Sequence, residues 1–212
     1  MSDQPSRDHL LLERLVFFSD AVFAIAITLL VLEIRLPVLP AEASDGEIGR
    51  ALVHVIPKII GFVVSFLVVG AYWEGHHRTL ALVERVDRAL VWRNLLLLLT
   101  VSFISFPTAL FSEHPSRAVP LRFYALSLAA VGICMILVWR HATSSEELLR
   151  PGEHLGEIRR LRNRTLATPV VGVLAVLCSL FSLTLARTLL VMIPFAVALG
   201  DRLAQRSVKR AA

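Results

Sequence analysis

The chain has 212 residues, 56% of them apolar, with a mean hydropathy of +0.68 and a formal charge of +5. Apolar residues gathered in long runs between short charged stretches exclude an ordinary soluble domain and imply membrane helices, because lipid offers the backbone no hydrogen bonds. Strands of ~10 alternating residues are missing, which excludes a membrane barrel, and no aromatic-interleaved basic patch points to nucleic acid.

The first apolar run is 14–36, RLVFFSDAVFAIAITLLVLEIRL. At ~1.5 Å per residue it covers roughly 34 Å, enough to cross a hydrocarbon core of about 30 Å. The run is too long for a signal-peptide core and reads as a retained helix. It carries Asp20 about one turn inside, where a carboxylate is costly and is a functional hypothesis by default. The plainer reading of Asp20 is a favourable partner of the helix N-terminal dipole.

Pro37 and Pro40 close this run, and 37–50, with Glu42, Asp45 and Glu47, reads as an acidic, turn-rich loop. A second span is expected over 52–74, kinked or opened by Pro57. His54 and Lys58 snorkel at one end, and Tyr72 and Trp73 mark the opposite interface. The charged stretch 74–88 extends the helices past the membrane. Further spans are expected over 89–111, 121–140, 165–185 and 187–204, with a tight turn near Arg187. The polar segment 141–164 reads as either an amphipathic surface helix or a solvated loop. Together these make an all-α polytopic membrane protein with one six-helix domain over 1–212.

Most of the 22 Lys and Arg residues fall on the side of the N-terminus, leaving Arg35, Arg50, Lys58, Arg117, Arg122 and Arg187 on the other. This distribution places both termini in the cytoplasm. No phosphate-cradling glycine loop, HExxH or nucleophile elbow is present, so an enzyme is not expected. Cys134 and Cys178 lie in apolar runs without metal spacing. His76 and His77 point ~100° apart on a helix, which argues against joint metal ligation.

Wound at ~100° per residue, the first helix separates two faces. Ile25, Thr28, Leu29 and Leu32 share an arc of about 100°, while Asp20 falls near Phe23, Ile27 and Val31 on another side. Such a stripe is equally compatible with bundle packing or lipid contact.

The sequence Arg14-x-x-x-Phe18-Ser19-Asp20 followed by AVFAIAITLLVLEI resembles the RxxxFSD signature of the transmembrane protein 175 family. The likeness extends to Ser65-Phe66-Leu67, to Trp73-x-x-His76-His77-Arg78 and to Asn94-Leu-Leu-Leu-Leu, over about the first 110 residues. It departs at Ser105-Phe106-Pro107, where the family pattern puts the proline before the phenylalanine.

The resemblance implies a potassium-permeable channel of the single-repeat bacterial form: a homotetramer in the plasma membrane, lined by the first helix of each of four subunits. It implies monovalent cations and membrane lipids as partners, K+ as the permeant ion, and no cofactor. By motif offset the pore constriction falls on Ile25, Leu29 and Leu32, and an ion-contacting hydroxyl on Thr28. Arg14, Phe18, Ser19 and Asp20 are implied to join Trp73, His77 and Asn94 in a structural polar network on the inward, Asp20 side of the helix. Two alternatives remain at this point. One is a proton-linked secondary transporter or proton leak using Asp20 and His77; the other is a non-conducting membrane interaction protein.

Overall fold

The structure, a computed structural model, describes residues 7–144, 148–149 and 169–193. Helix α1 spans Arg7–Leu29 and tightens into a 3-10 turn over Leu30–Glu33. It is followed by α2 (Asp45–Ala81), α3 (Arg88–Phe103), α4 (Ser105–Glu113), α5 (Ala118–Ala142), α6 (Pro169–Cys178) and α7 (Leu183–Ile193). Among the described residues, four segments are long and apolar enough to cross a membrane: Asp8–Glu33, Asp45–Ala81, Arg88–Glu113 and Ala118–Ala142. The chain is an all-α, multi-pass membrane protein.

Several boundaries differ from the sequence expectation, each for a local reason. Helix α2 begins at Asp45, inside the expected loop 37–50, because Ser44 and Glu47 form a reciprocal capping box. The Glu47 carboxylate accepts the Ser44 backbone N–H at 2.8 Å, satisfying a donor that a helix start would otherwise leave open. The helix then runs through Pro57 as a single element to Ala81.

The third span is not one helix. Pro107 has no N–H to give the Phe103 carbonyl, so the helix pauses at Ile104 and resumes as α4. Phe103, Phe106 and Phe123 pack ring against ring across this break.

The described parts of the expected spans 165–185 and 187–204 hold α6 and α7, and Arg187 lies within α7 rather than at the turn before it. Residues 165–168 and 194–204 lie outside the described residues. So does most of the segment 141–164, apart from its first residues and Leu148–Leu149. There the Leu148 carbonyl accepts the Glu84 N–H at 2.8 Å, fastening this region to the α2–α3 turn.

Helix α5 is the centre of the bundle. It packs chiefly on α3, and also on α4 and α2. Leu121, Tyr124, Ala125, Leu128, Val131 and Val138 are buried along its length. On its other side α6 comes close because Gly172 has no side chain: a Cβ there would lie 3.0 Å from the Ala125 carbonyl oxygen. The hydroxyls of Tyr72 and Tyr124 brace α5 at two levels. Tyr72 donates to the Leu128 carbonyl at 2.8 Å. Thr108 donates to the Ile104 carbonyl, so Ser65 donates to Thr108 at 3.0 Å, and Tyr124 in turn donates to Ser65 at 2.9 Å.

At the end of the bundle nearest the N-terminus, Asp87 ties α3 to α5. Its carboxylate accepts the Leu90 N–H at 2.7 Å as the α3 cap and meets His141 Nε2 at 2.8 Å. Burial alone would raise the Asp87 carboxyl, but the Leu90 N–H, His141 and the Arg93 charge outweigh it and hold the carboxyl below its ordinary value. A carboxyl lowered in the folded state contributes stability above its unfolded value and loses it as pH falls through the folded one. Thermal unfolding in detergent should therefore show a loss of stability as pH falls below about 4. Asp87→Asn should remove that component, and Asp87→Ala should cost about 1 kcal/mol at neutral pH through the lost cap.

Candidate functional site

The first helix has a covered face and an uncovered face. Leu12, Leu15, Ser19, Phe23, Ala26 and Leu30 are buried against the rest of the chain, at the spacing of one side of a helix. Opposite them, Ile25 is 58% exposed, Leu29 42% and Leu32 60%, and Thr28 is also exposed. The stripe of Ile25, Thr28, Leu29 and Leu32 thus faces out of the protomer. Thr28 Oγ1 donates to the Ile25 carbonyl at 2.9 Å. Its proton is committed to its own helix, and the oxygen lone pairs stay open on the outer side.

The covered face is pinned by three buried polar side chains from three helices. His76 (1% exposed) approaches Asn94 Oδ1 with Nε2 at 2.7 Å. An amide oxygen only accepts, so the imidazole donates. Asn94 Nδ2 donates to Ser19 Oγ at 2.9 Å, and the Ser19 hydroxyl donates to the Leu15 carbonyl at 2.7 Å. Ser19 and Asn94 are both fully buried. Every hydrogen in this chain has one direction, and it links α2 through α3 to α1. The Phe23 ring lies against the His76 imidazole, with centroids 5.5 Å apart.

Asp20 is placed differently from the expectation. One residue on from Ser19, it is rotated ~100° from the covered face and sits half-buried at its edge. There it accepts the Trp73 indole N–H at 2.8 Å. The inward side of α1 is the Ser19, Phe23, Ala26 and Leu30 side, not the Asp20 side.

Of the residues implied for one polar network, the structure joins Ser19 with Asn94, and Asp20 with Trp73. Arg14 and Phe18 are exposed and form no bond to either pair. His77 is also exposed and touches the network only by ring contact with Trp73, at 5.8 Å between centroids. The buried histidine is its neighbour, His76. The spacing of Val68, Val69, Tyr72, His76, Thr79 and Leu80 is the signal that identifies it, since all six are buried at i, i+3, i+4 intervals.

No hydrogen bond joins Asp20 to His77. The indole between them donates but cannot accept a proton, which leaves no relay through these two residues. Among the described residues, no group of three His, Cys, Asp or Glu side chains is placed to hold a metal ion.

Asn94→Leu should leave both the His76 N–H and the Ser19 oxygen unpaired in the interior. A loss of about 1–3 kcal/mol per stranded group is expected, read as a lowered unfolding temperature of the purified protein. Arg14→Gln, at an exposed site, should stay within about 0.5 kcal/mol of the parent.

Residues 14–105, which hold the α1 stripe and the buried polar chain, match the family described as endosomal/lysosomal potassium channel TMEM175. A potassium channel of Chamaesiphon minutus is 41% identical over 139 residues, covering 64% of this chain and 68% of that protein. A potassium channel of Streptomyces collinus is 40% identical over 142 residues, covering 65% and 68%. The crystal structure of a lysosomal potassium-selective channel TMEM175 homolog from Chamaesiphon minutus superposes with a TM-score of 0.78 at 31% identity, over 89% of this chain and 96% of that one. With its fold, its first-helix motif and these relatives in agreement, the chain belongs to the TMEM175 family.

Proposed function

We propose that four copies of this chain surround an axis and form a potassium-permeable cation channel in a bacterial plasma membrane, with both termini in the cytoplasm. The observation that carries this reading is the face of α1 that its own protomer leaves uncovered, with Thr28 set among Ile25, Leu29 and Leu32. A stripe of this kind is what a helix needs to line an axis. The family and the potassium channels among its relatives supply the ion.

In such an assembly Ile25, Leu29 and Leu32 form rings of hydrocarbon that close the path by excluding water. The Thr28 ring lies between them. Because each hydroxyl gives its proton to the Ile25 carbonyl, four oxygens face the axis as acceptors and replace part of an ion's hydration shell. Four hydroxyls are a looser cage than stacked backbone carbonyls, so selection of potassium over sodium is modest. The role of the protein is then conduction rather than catalysis. The buried chain His76–Asn94–Ser19 holds α1 at the rotation that keeps the stripe on the axis, and the Asp20–Trp73 bond closes the edge of that contact.

Potassium flux and reversal potentials in liposomes test this reading. Ile25→Asn or Leu29→Asn should wet the constriction and raise conductance about tenfold, the effect of lowering a barrier by ~1.4 kcal/mol. Thr28→Val should reduce the preference for potassium over sodium. Asp20→Ala should lower the yield of assembled protein more than it alters the current per assembled channel. Unchanged currents in the three stripe variants would remove α1 from the ion path, and a cross-linked stoichiometry other than four would remove the axis.

A further inference from the structure

At the end of the bundle that carries the α1–α2 connection, helices α2, α4, α5 and α7 leave a cavity of about 210 Å3 between them. Ile60, Val64, Phe111 and Leu190 form its apolar walls. It is elongated along the bundle: Pro57 and Val64 both line it and lie seven residues apart on α2, roughly 10 Å.

Two polar groups in its lining lack the partners their chemistry calls for. The first is the Ser112 hydroxyl. The residue is 8% exposed, and Oγ has no hydrogen-bond partner among the described residues. It is seated in the notch left by Gly61, only 2.1 Å from where a Cβ would stand, so the missing side chain lets a hydroxyl into the cavity wall. A buried hydroxyl without a partner is costly, and native interiors seldom keep one.

The second group is the Arg187 guanidinium. Its only hydrogen bond among the described residues is from Nε to the Leu183 carbonyl, a long 3.4 Å. The acid closest along the chain to the other lining residues, Glu113, is already paired with Lys58 at 3.2 Å. The cavity therefore holds an uncompensated cation and an unused hydroxyl beside an apolar slot.

We propose that this cavity binds an anionic phospholipid from the surrounding membrane, with one acyl chain in the slot and the phosphodiester on Arg187 and Ser112. The charge complementarity is direct: a guanidinium fork matches phosphate oxygens, and a hydroxyl adds a further donor. The volume is small for a compact soluble ligand, for which pockets of about 300 Å3 or more are usual. A lipid needs only part of one chain inside, and the rest of the molecule stays in the bilayer. The site is independent of the stripe on α1, so it stands or falls apart from ion conduction.

Native mass spectrometry of the full-length assembly, titrated with phosphatidylglycerol and with phosphatidylcholine of matched chains, tests the site. Phosphatidylglycerol should bind the parent protein more tightly. Arg187→Gln should weaken it about tenfold, the loss expected for one charge-assisted contact, and should abolish the preference over phosphatidylcholine. Arg117→Gln, at an exposed position outside the cavity, should change neither. Val64→Phe, which fills the slot, should weaken both lipids, and Ser112→Ala, which leaves the slot open and removes only a donor to the phosphodiester common to both, should also weaken both.

Four results would overturn the proposal. They are equal binding of the two lipids by the parent, an equal loss of preference in Arg117→Gln, displacement of phosphatidylglycerol by inorganic phosphate at similar concentration, and failure to retain any lipid in a well-folded parent.

Discussion

The arrangement depends on one side chain, the Asn94 amide. A primary amide has both a donor and an acceptor, so in a lipid-facing bundle it can bridge a group that must give a hydrogen and one that must receive it. Here it takes the His76 N–H from α2 and gives its own to Ser19 on α1. No apolar contact would set the rotation of α1 as sharply, because packing between smooth hydrocarbon faces tolerates small turns. Rotating α1 by one residue would break the bond to Ser19 and bring the Asp20 carboxylate toward the buried place that Ser19 holds against Asn94. The same turn would carry Thr28 off the outward direction. A buried polar contact on one side of the helix thus determines what the opposite side presents.

A second set of polar contacts works by the same logic toward the other end. Ser65, Thr108 and Tyr124 join α2, α4 and α5 by hydroxyls whose directions are fixed by the first donor, Thr108 to Ile104. The Tyr124 ring stacks flat on Phe111, with centroids 5.4 Å apart. Ring and hydroxyl together give α4 a defined seat although Pro107 has cut it off from α3. Each polar set joins three helices and closes on a backbone carbonyl.

Much of this was legible in the residues. The apolar runs marked the four long spans, and winding α1 at its helical pitch separated Ile25, Thr28, Leu29 and Leu32 from the rest. What misled was charge. Asp20 draws attention because a carboxylate is costly in lipid, yet the small, neutral Ser19 beside it occupies the interior. His77 and His76 differ by one position, and only the spacing of Val68, Tyr72 and Leu80 decides which is buried. The start of α2 was written in Ser44-x-x-Glu47, but the acidic residues around it read as loop. At the far end, residues 169–193 are apolar almost throughout. Composition there gives no contrast to mark where α6 ends, and Arg187, which reads as a turn signal, is one cation on α7.

Helix α2 limits how the molecule sits in the bilayer. Its capped start at Ser44 and the Glu74–Arg78 pair near its other end are separated by a rise of roughly 45 Å at ~1.5 Å per residue. A membrane with its headgroups is about 40–45 Å thick. A strut of that length, anchored by polar groups at both surfaces, leans by no more than roughly 25° before one end is drawn beneath the headgroups. Because α1, α4 and α5 all pack on α2, the depth at which α2 sits in the bilayer also sets theirs.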